Sequence, residues 1–143
     1  MLGDGLVLVV SGDIHADYDY ASLLARAAAM AETDQSPHLH MVMVPNPAYH
    51  PGGDFVLSRG RLELNGSGAQ HTTFGNIALY RTSLFRELPR GKKLRILPFY
   101  RDWIARGWAS GELFAGRWAN VGTAAELASL DSQLSGELSR ETR

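Results

Sequence analysis

The sequence of 143 residues contains no cysteine. A disulfide, a thiolate nucleophile and a zinc site built on sulfur are therefore excluded. Charge of one sign is also missing, because 14 Lys and Arg residues offset 15 Asp and Glu residues and leave a formal net charge of −1. This balance gives no electrostatic signature for binding nucleic acid or an anionic membrane, and we expect neither as a partner.

Long apolar runs are equally scarce. No stretch approaches the roughly 20 apolar residues that a membrane-spanning helix needs. No basic segment precedes the apolar run near the N-terminus, as it would in a signal peptide. We therefore expect a cytoplasmic location. The composition, with 45% hydrophobic and 20% charged residues, is that of an ordinary globular domain.

The most informative segment that is present reads L-V-L-V-V-S-G-D-I, from Leu6 to Ile14. An apolar run without alternation predicts a strand buried on both faces, as in a parallel sheet. Gly12 allows a tight turn, and Asp13 then presents a carboxylate just beyond the strand, where open α/β sheets bind their ligands. Asp13 is thus a candidate ligand of a hard cation. The alternative is a turn carboxylate that caps the following backbone.

The rest of the chain alternates between helical and extended patterns. After the first strand, a helix and a second strand suggest a parallel crossover unit. Helices are predicted over 21–32, 82–88, 97–106 and from Thr123 through Leu134, and strands over 38–44, 55–58, 61–64, 72–80, 108–114 and 117–121. The fold class is α/β, a mixed, mostly parallel sheet flanked by helices. We assign one domain to residues 1–135 and a polar tail to residues 136–143.

Two further patterns invite a metal-site interpretation. Asp17 and Asp19 spell the D-x-D pattern of glycosyltransferases, but they precede a predicted helix, so a capping role is favoured. His38 and His40 would face the same side of a strand, yet no third ligand follows at a matching spacing, which disfavours zinc. Glu112, after Ser-Gly, either accepts hydrogen bonds from a sugar or is an exposed strand-edge glutamate.

Five ordered segments resemble one family: V-V-S-G-D-I, D-Y-D-Y, V-P-N-P-A-Y-H-P-G-G-D-F, T-F-G-N-I-A-L-Y and S-G-E-L-F-A-G-R-W-A-N-V-G-T. Together they resemble the sugar-1-phosphate nucleotidyltransferases, and most of all the N-acetylmuramate 1-phosphate uridylyltransferases of bacterial cell-wall recycling. The resemblance implies a Rossmann-like, GT-A-like fold. It also implies a reaction in which a sugar 1-phosphate attacks the α-phosphorus of a nucleoside triphosphate, such as UTP, and expels pyrophosphate with the help of Mg²⁺.

The resemblance also implies roles for particular residues. Asp13 and Asn120 fall on the two positions that hold Mg²⁺, and Asp13 is the implied catalytic residue. The positions that seat the sugar fall on five residues of this sequence: Asn46, His50, Gly75, Asn76 and Glu112.

Four departures from the family pattern shape our expectations, of which Ser11 in place of the usual asparagine is the mildest. Asn120 replaces an aspartate, so the magnesium site is expected to be weak, and Asn76 replaces a glycine. The glycine-rich loop and the Pro-Lys-Pro segment that grip the triphosphate do not occur in this sequence. We therefore expect the C-terminal part of such an enzyme, which either works with a separate N-terminal polypeptide or is a truncated or decayed copy. An exposed sheet edge is expected to promote self-association. The alternative is a non-catalytic sugar-phosphate binder or subunit partner that kept the fold.

Overall fold

The computed structural model describes residues 3–33, 35, 37–66, 70–86 and 88–141. The elements within these ranges are β1 (Leu6–Val10), β2 (Ile14–Ala16), α1 (Ser22–Ala31), β3 (Leu39–Val44), β4 (Phe55–Ser58), β5 (Arg61–Glu63), β6 (His71–Arg81), a 3₁₀ helix (Thr82–Phe85), α2 (Leu97–Ala105), β7 (Ala109–Leu113), β8 (Trp118–Asn120) and α3 (Ala124–Glu141). Among the described helices, none is long and apolar enough to cross a membrane.

Six strands form the main sheet in the order β1-β6-β3-β7-β5-β4, while β2 and β8 form a separate antiparallel pair. The mixed sheet flanked by helices is confirmed. The expectation of a mostly parallel sheet is wrong. Among the described strand pairs of the main sheet, β3 and β7 are parallel and the others are antiparallel. Strand β6 runs antiparallel between β1 and β3. Strands β1, β3 and β7 nevertheless point the same way, so their carboxyl ends share one edge of the sheet.

Strand β1 lies at an edge of the sheet. It was expected to be buried on both faces, but Leu8, Val9 and Val10 are 40%, 46% and 39% exposed. Burial on both faces is therefore wrong for this strand. The expected unpaired apolar edge is confirmed, since β1 pairs with β6 on one side and has no described strand on the other.

The core is divided between the two faces of the sheet. Every residue of β3 is buried, and because side chains alternate along a strand, its residues contribute to both faces. Met41 packs in a cluster with Trp103 of α2, whereas Val42 packs in a second cluster with Leu23 of α1. A central strand covered on both faces rigidly places the loop that follows it.

Local signals in the sequence account for several boundaries. The predicted hairpin is confirmed, and its turn residues Arg59 and Gly60 adopt φ values of 49° and 77°, which suit a two-residue hairpin loop. Thr123 and Glu126 form a reciprocal capping box at the start of α3, as predicted for Thr123. The predicted end of that helix at Leu134 is wrong, because α3 continues to Glu141.

Candidate active site

The candidate site begins where β1 ends. Strands β2 and β8 pair so that Ile14 lies opposite Asn120. The backbone N–H of Val121 donates a hydrogen bond to the carbonyl oxygen of Asp13 at 2.7 Å. The turn after β1 and the segment after β8 are thereby joined, although they are far apart in the sequence.

The side chains of Asp13 and Asn120 converge above Gly122. A Cβ atom at Gly122 would lie 3.7 Å from Asn120 Oδ1 and 3.9 Å from Asp13 Oδ2. Asn120 Oδ1 is buried and has no hydrogen-bond partner in the described part of the chain. A carboxylate oxygen and an unused amide oxygen facing one space fit Mg²⁺, which takes its remaining ligands from water and substrate phosphates.

This pair is poor in negative charge. Within the described ranges, no group of three or more His, Asp or Glu side chains could hold a metal ion. Asp13 is therefore the charged member of the candidate site, and Asn120 contributes a neutral oxygen. The arrangement fits a weakly bound cation that phosphate oxygens help to hold.

A cavity of about 380 Å³ is lined in part by Asn120 and lies between the loop after β3, strand β6 and the start of α2. Three predicted site residues line it: His50, Asn76 and Asn120. The rings of Phe74 and Tyr100 supply apolar wall. Apolar walls with a few convergent polar groups are typical of small-molecule sites.

His50 is oriented by a carboxylate that the sequence analysis missed. Its Nε2 lies 3.2 Å from Asp54 Oδ1, and Asp54 Oδ2 accepts a hydrogen bond from the backbone N–H of Phe74 at 2.8 Å. Asp54 thus ties the imidazole to strand β6. The spacing of four residues between the two side chains is the signal that could have identified the pair.

Asn46 organises the same loop. Its Nδ2 donates to the carbonyl oxygens of Pro51 and His71 at 3.0 and 2.9 Å, and its Oδ1 accepts from Thr73 Oγ1 at 2.9 Å. Gly53 adopts φ of 59°, and a Cβ atom there would lie 2.7 Å from Asn46 Oδ1. The Asn46 amide is thereby committed to the loop that carries His50. Its contact with a sugar stays a prediction.

Gly75 and Asn76 lie at an irregularity in the pairing of β6 with β3. A Cβ atom at Gly75 would be 3.0 Å from the carbonyl oxygen of Val42, and the carbonyl of Gly75 accepts from Trp118 Nε1 at 2.9 Å. Asn76 adopts φ of 60°, which glycine tolerates best and asparagine next best. The resemblance implies glycine at this position, and the positive φ gives a physical reason for it.

Glu112 lies apart from the cavity, on the face of β7 that meets α1. Tyr18 Oη donates to Glu112 Oε1, and His40 Nε2 lies 3.2 Å from Glu112 Oε2. Burial, followed by the hydrogen bond to Glu112, raises the pKa of Tyr18 to about 12, so its hydroxyl is a donor at neutral pH. The structure thus brings His50, Asn76 and Asn120 to the lining of one cavity. It places Glu112 elsewhere, in contact with Tyr18 and His40.

The D-x-D carboxylates serve local structure. Asp19 Oδ1 accepts from the backbone N–H of Ala21 at 3.0 Å, just before α1. Asp17 pairs with His15 and Arg117 at 3.5 and 3.6 Å. The predicted role as helix N-cap is wrong for both residues, because the N-cap of α1 is Ala21, which has no side-chain capping hydrogen bond, and Asp19 bonds within the turn that precedes it.

Comparison with known proteins supports the resemblance. No protein-family model matches the chain. The N-acetylmuramate α-1-phosphate uridylyltransferase of Neisseria meningitidis serogroup B is 32% identical over 130 residues, which cover 89% of this chain and 54% of that protein. The chain thus spans about half the length of this relative.

Solved structures share the fold. A protein from Bacillus anthracis described as a glucose-1-phosphate thymidylyltransferase, crystallised with sucrose, superposes with a TM-score of 0.68 at 16% identity, over 92% of this chain and 55% of that one. HddC from Yersinia pseudotuberculosis, complexed with GMP-PN, superposes with a TM-score of 0.61 at 12% identity, over 91% of this chain and 56% of that one. The chain therefore has the mixed α/β, GT-A-like fold of the sugar-1-phosphate nucleotidyltransferases and resembles part of the N-acetylmuramate 1-phosphate uridylyltransferases in sequence.

Proposed function

We propose that this chain is the sugar- and metal-binding portion of a sugar-1-phosphate nucleotidyltransferase. The reaction transfers UMP from UTP to a sugar 1-phosphate such as N-acetylmuramate 1-phosphate and releases pyrophosphate. The observation that carries the proposal is the convergence of Asp13 Oδ2 and Asn120 Oδ1 above Gly122, beside a cavity of about 380 Å³. The uridylyltransferase relative in Neisseria meningitidis supports the choice of substrates.

In this reaction the protein need not form a covalent bond to the substrate, because phosphoryl-type transfer is accelerated mainly by positioning and charge stabilisation. Asp13 and Asn120 are the residues that would hold Mg²⁺, which supplies neutralisation of phosphate charge when bound. Asp13 contributes the formal charge. Asn120 contributes a buried oxygen that has no hydrogen-bond partner among the described residues.

The cavity residues hold the acceptor sugar in this scheme. His50, tied to Asp54, presents a ring nitrogen donor or acceptor at a set angle, and Asn76 projects a side-chain amide from strand β6. The aromatic wall of Phe74 and Tyr100 suits the apolar faces and substituents of a hexose derivative. Each group acts by orienting the sugar phosphate toward the metal.

The nucleoside triphosphate needs a further portion of the fold. We propose that this portion covers the exposed edge of β1, adds strands to the sheet and supplies the basic groups that grip the triphosphate. Two observations support this. The apolar edge of β1 at Val9 pairs with no described strand, and the chain spans only about half the length of the relatives it matches. The chain alone is then unable to catalyse the transfer.

The test is an assay of pyrophosphate release from UTP, N-acetylmuramate 1-phosphate and Mg²⁺. We expect no turnover by the chain alone and measurable turnover after addition of the portion of the Neisseria meningitidis relative that the chain does not match. Asp13→Asn, which keeps the shape of the side chain, should abolish that turnover. Turnover by the chain alone would refute the proposal that it needs a further portion for catalysis. Absence of both turnover and sugar-phosphate binding would overturn the assignment.

A second candidate function is a non-catalytic sugar-phosphate binder or subunit partner. The neutral Asn120 at the metal position favours it, because sugar binding does not require a tightly held cation. Calorimetry of N-acetylmuramate 1-phosphate binding separates the two. Affinity that is independent of Mg²⁺, with no turnover after complementation, favours the binder.

A further inference from the structure

A second cavity, of about 310 Å³, shares part of its wall with the cavity assigned to the sugar. Asp54 and Phe55 line both cavities. The other residues that line the second cavity are Leu64, Asn65, His71 and Arg101. A substituent on a sugar held in the first cavity would meet this second set of side chains where the two linings overlap.

Backbone pairing fixes the wall between the two cavities. The N–H of Asp54 donates to the carbonyl oxygen of Thr72 at 2.9 Å. Val56 pairs with His71 in the antiparallel register of β4 and β6. The carbonyl oxygen of His71 also accepts from Asn46 Nδ2 at 2.9 Å. The backbone that carries the His71 imidazole is therefore held from two sides.

Arg101 is the positive charge of the second cavity. Consecutive residues of a helix point about 100° apart, and along α2 Tyr100 lines the first cavity while Arg101 lines the second. Among the described residues, Arg101 has no ion-pair or hydrogen-bond partner, whereas Arg106 on the same helix lies 2.8 Å from Asp102. The N–H donors of the Arg101 guanidinium are thus not committed within the described part of the chain.

Asp54 is the acidic residue among those that line the second cavity, and its carboxylate is already occupied. Its Oδ1 lies 3.2 Å from His50 Nε2, and its Oδ2 accepts from the N–H of Phe74 at 2.8 Å. It makes no ion pair with Arg101 in the described structure. Because these contacts hold the carboxylate toward the first cavity's histidine and strand β6, the charge of Arg101 is left for a ligand.

The remaining groups suit a carboxylate on a short aliphatic arm. The imidazole of His71 and the amide of Asn65 can donate hydrogen bonds, and Leu64 adds apolar surface. A guanidinium group binds a carboxylate through two parallel hydrogen bonds, a geometry that a lysine ammonium does not offer. The second cavity therefore combines a paired donor, further donors and a small apolar wall.

We propose that the second cavity is a carboxylate subsite, in which Arg101 binds an acidic substituent on the acceptor sugar. This inference rests on the proposed function and narrows its substrate class to sugar phosphates that carry a carboxylate. N-acetylmuramate 1-phosphate is such a compound, because its lactyl ether bears a carboxylate on a short aliphatic arm. N-acetylglucosamine 1-phosphate lacks the lactyl ether and offers Arg101 no anionic group on the sugar ring.

The experiment is calorimetric titration of the full chain, in the presence of Mg²⁺, with three ligands. They are N-acetylmuramate 1-phosphate, its lactamide, in which an amide of nearly the same size replaces the carboxylate, and N-acetylglucosamine 1-phosphate. We expect wild type to bind the first about tenfold more tightly than either of the others, because both lack the charge-assisted pair with Arg101.

Variants at position 101 test whether this residue causes the preference. Arg101→Gln should weaken binding of N-acetylmuramate 1-phosphate about tenfold and leave the other two ligands unchanged. Arg101→Lys keeps the charge without the paired geometry and should recover part of the loss. Arg59→Gln is the matched control, because it removes the same charge from a hairpin turn that lines neither cavity. Arg101 is exposed, so we expect its variants to keep the thermal unfolding midpoint of wild type.

Each outcome has a distinct meaning. A preference for the carboxylate that Arg101→Gln abolishes and Arg59→Gln retains supports the inference. Equal binding of the three ligands by wild type, or a preference that Arg101→Gln leaves intact, overturns it and leaves the proposed function standing. Equal weakening of all three ligands by Arg101→Gln also overturns it. Failure of wild type to bind any of the three ligands overturns both proposals. The comparison of ligands needs wild type alone, so it decides even where a variant does not fold.

Discussion

Asp13 and Asn120 meet although 106 positions of chain lie between them. The β2–β8 pairing brings them together, with a 2.7 Å hydrogen bond from the Val121 N–H to the Asp13 carbonyl. The resemblance to nucleotidyltransferases required this proximity, and the structure supplies it. Because of this proximity, changing the charge at position 120 is the most direct test of the candidate metal site.

Asn120→Asp should strengthen magnesium binding by more than tenfold. One added unit charge is worth about 4 kcal/mol at about 4 Å with an effective dielectric near 20. Desolvation cancels part of this, but about 1.4 kcal/mol suffices for a factor of ten. In the absence of Mg²⁺, repulsion from Asp13 should lower the unfolding midpoint, and Mg²⁺ should restore it.

The measurement is thermal unfolding of wild type and Asn120→Asp across a magnesium titration. Asn65→Asp, which adds the same charge at an exposed position away from Asp13, serves as the control. Equal magnesium dependence of Asn120→Asp and Asn65→Asp would show that position 120 does not face a cation.

Gly75→Ala should destabilise the fold by about 1–3 kcal/mol, the usual cost of forcing atoms into a packed region. The new Cβ would lie 3.0 Å from the carbonyl oxygen of Val42 and 3.1 Å from Val44 Cγ1. The carbonyl belongs to the central strand and cannot yield without breaking sheet pairing. Urea unfolding measures the loss. Gly52→Ala, where the Cβ would meet nothing within 4 Å, should cost far less.

Asn76→Ala should cost about 1 kcal/mol of unfolding free energy, whereas Asn76→Gly should cost nothing or add stability. The φ of 60° at this position is unfavourable for residues with a Cβ, less so for asparagine, and free of penalty for glycine. Chemical denaturation of the three proteins tests the ranking. An alanine variant as stable as the glycine variant would contradict the backbone explanation.

Val9→Lys should reduce self-association. Val9 is 46% exposed on β1, whose outer edge pairs with none of the described strands, and a lysine on an edge strand discourages pairing with another chain. Sedimentation at micromolar concentration should show larger species for wild type and a shift toward monomer for the variant. Leu24→Lys, at a 72% exposed position of α1, is the control for added charge. A monomeric wild type would refute the prediction.

His40 should contribute to stability in a pH-dependent way. Burial, opposed by the hydrogen bond to Glu112, lowers the pKa of His40 below its ordinary 6.5, with Arg26 acting in the same direction as burial. Folding therefore favours the neutral imidazole. This contribution is complete above the unfolded pKa and is lost as the pH falls toward the lowered folded value.

Unfolding free energies of wild type and His40→Gln between pH 8 and pH 5 provide the measurement. Glutamine does not titrate, so the stability advantage of wild type should shrink as the pH falls below about 6.5. The other histidines are common to both proteins, so their titration cancels in the difference. A difference that stays constant over this range would rule out a lowered His40 pKa.

The sequence alone determined the features that depend on neighbouring residues. The apolar run of β1, the glycine turn that presents Asp13, the hairpin over Arg59 and Gly60, and the capping role of Thr123 each follow from local backbone preferences. The ordered motifs also predicted, through the resemblance to a known family, that Asn120 and Asp13 belong to one metal site. These signals are short-range, or depend on a known family, and can be read without coordinates.

Only the tertiary structure decided which distant groups share a contact. It placed β1 at an edge of the sheet, where β6 is its one neighbour among the described strands. Hydrophobic patterning does not encode this strand order. It tied Glu112 to Tyr18, 94 residues away, and to His40, 72 residues away. These contacts depend on the order of the strands and on which face of the sheet each side chain occupies. Both are determined by how the whole chain packs its two cores, not by any local stretch of residues.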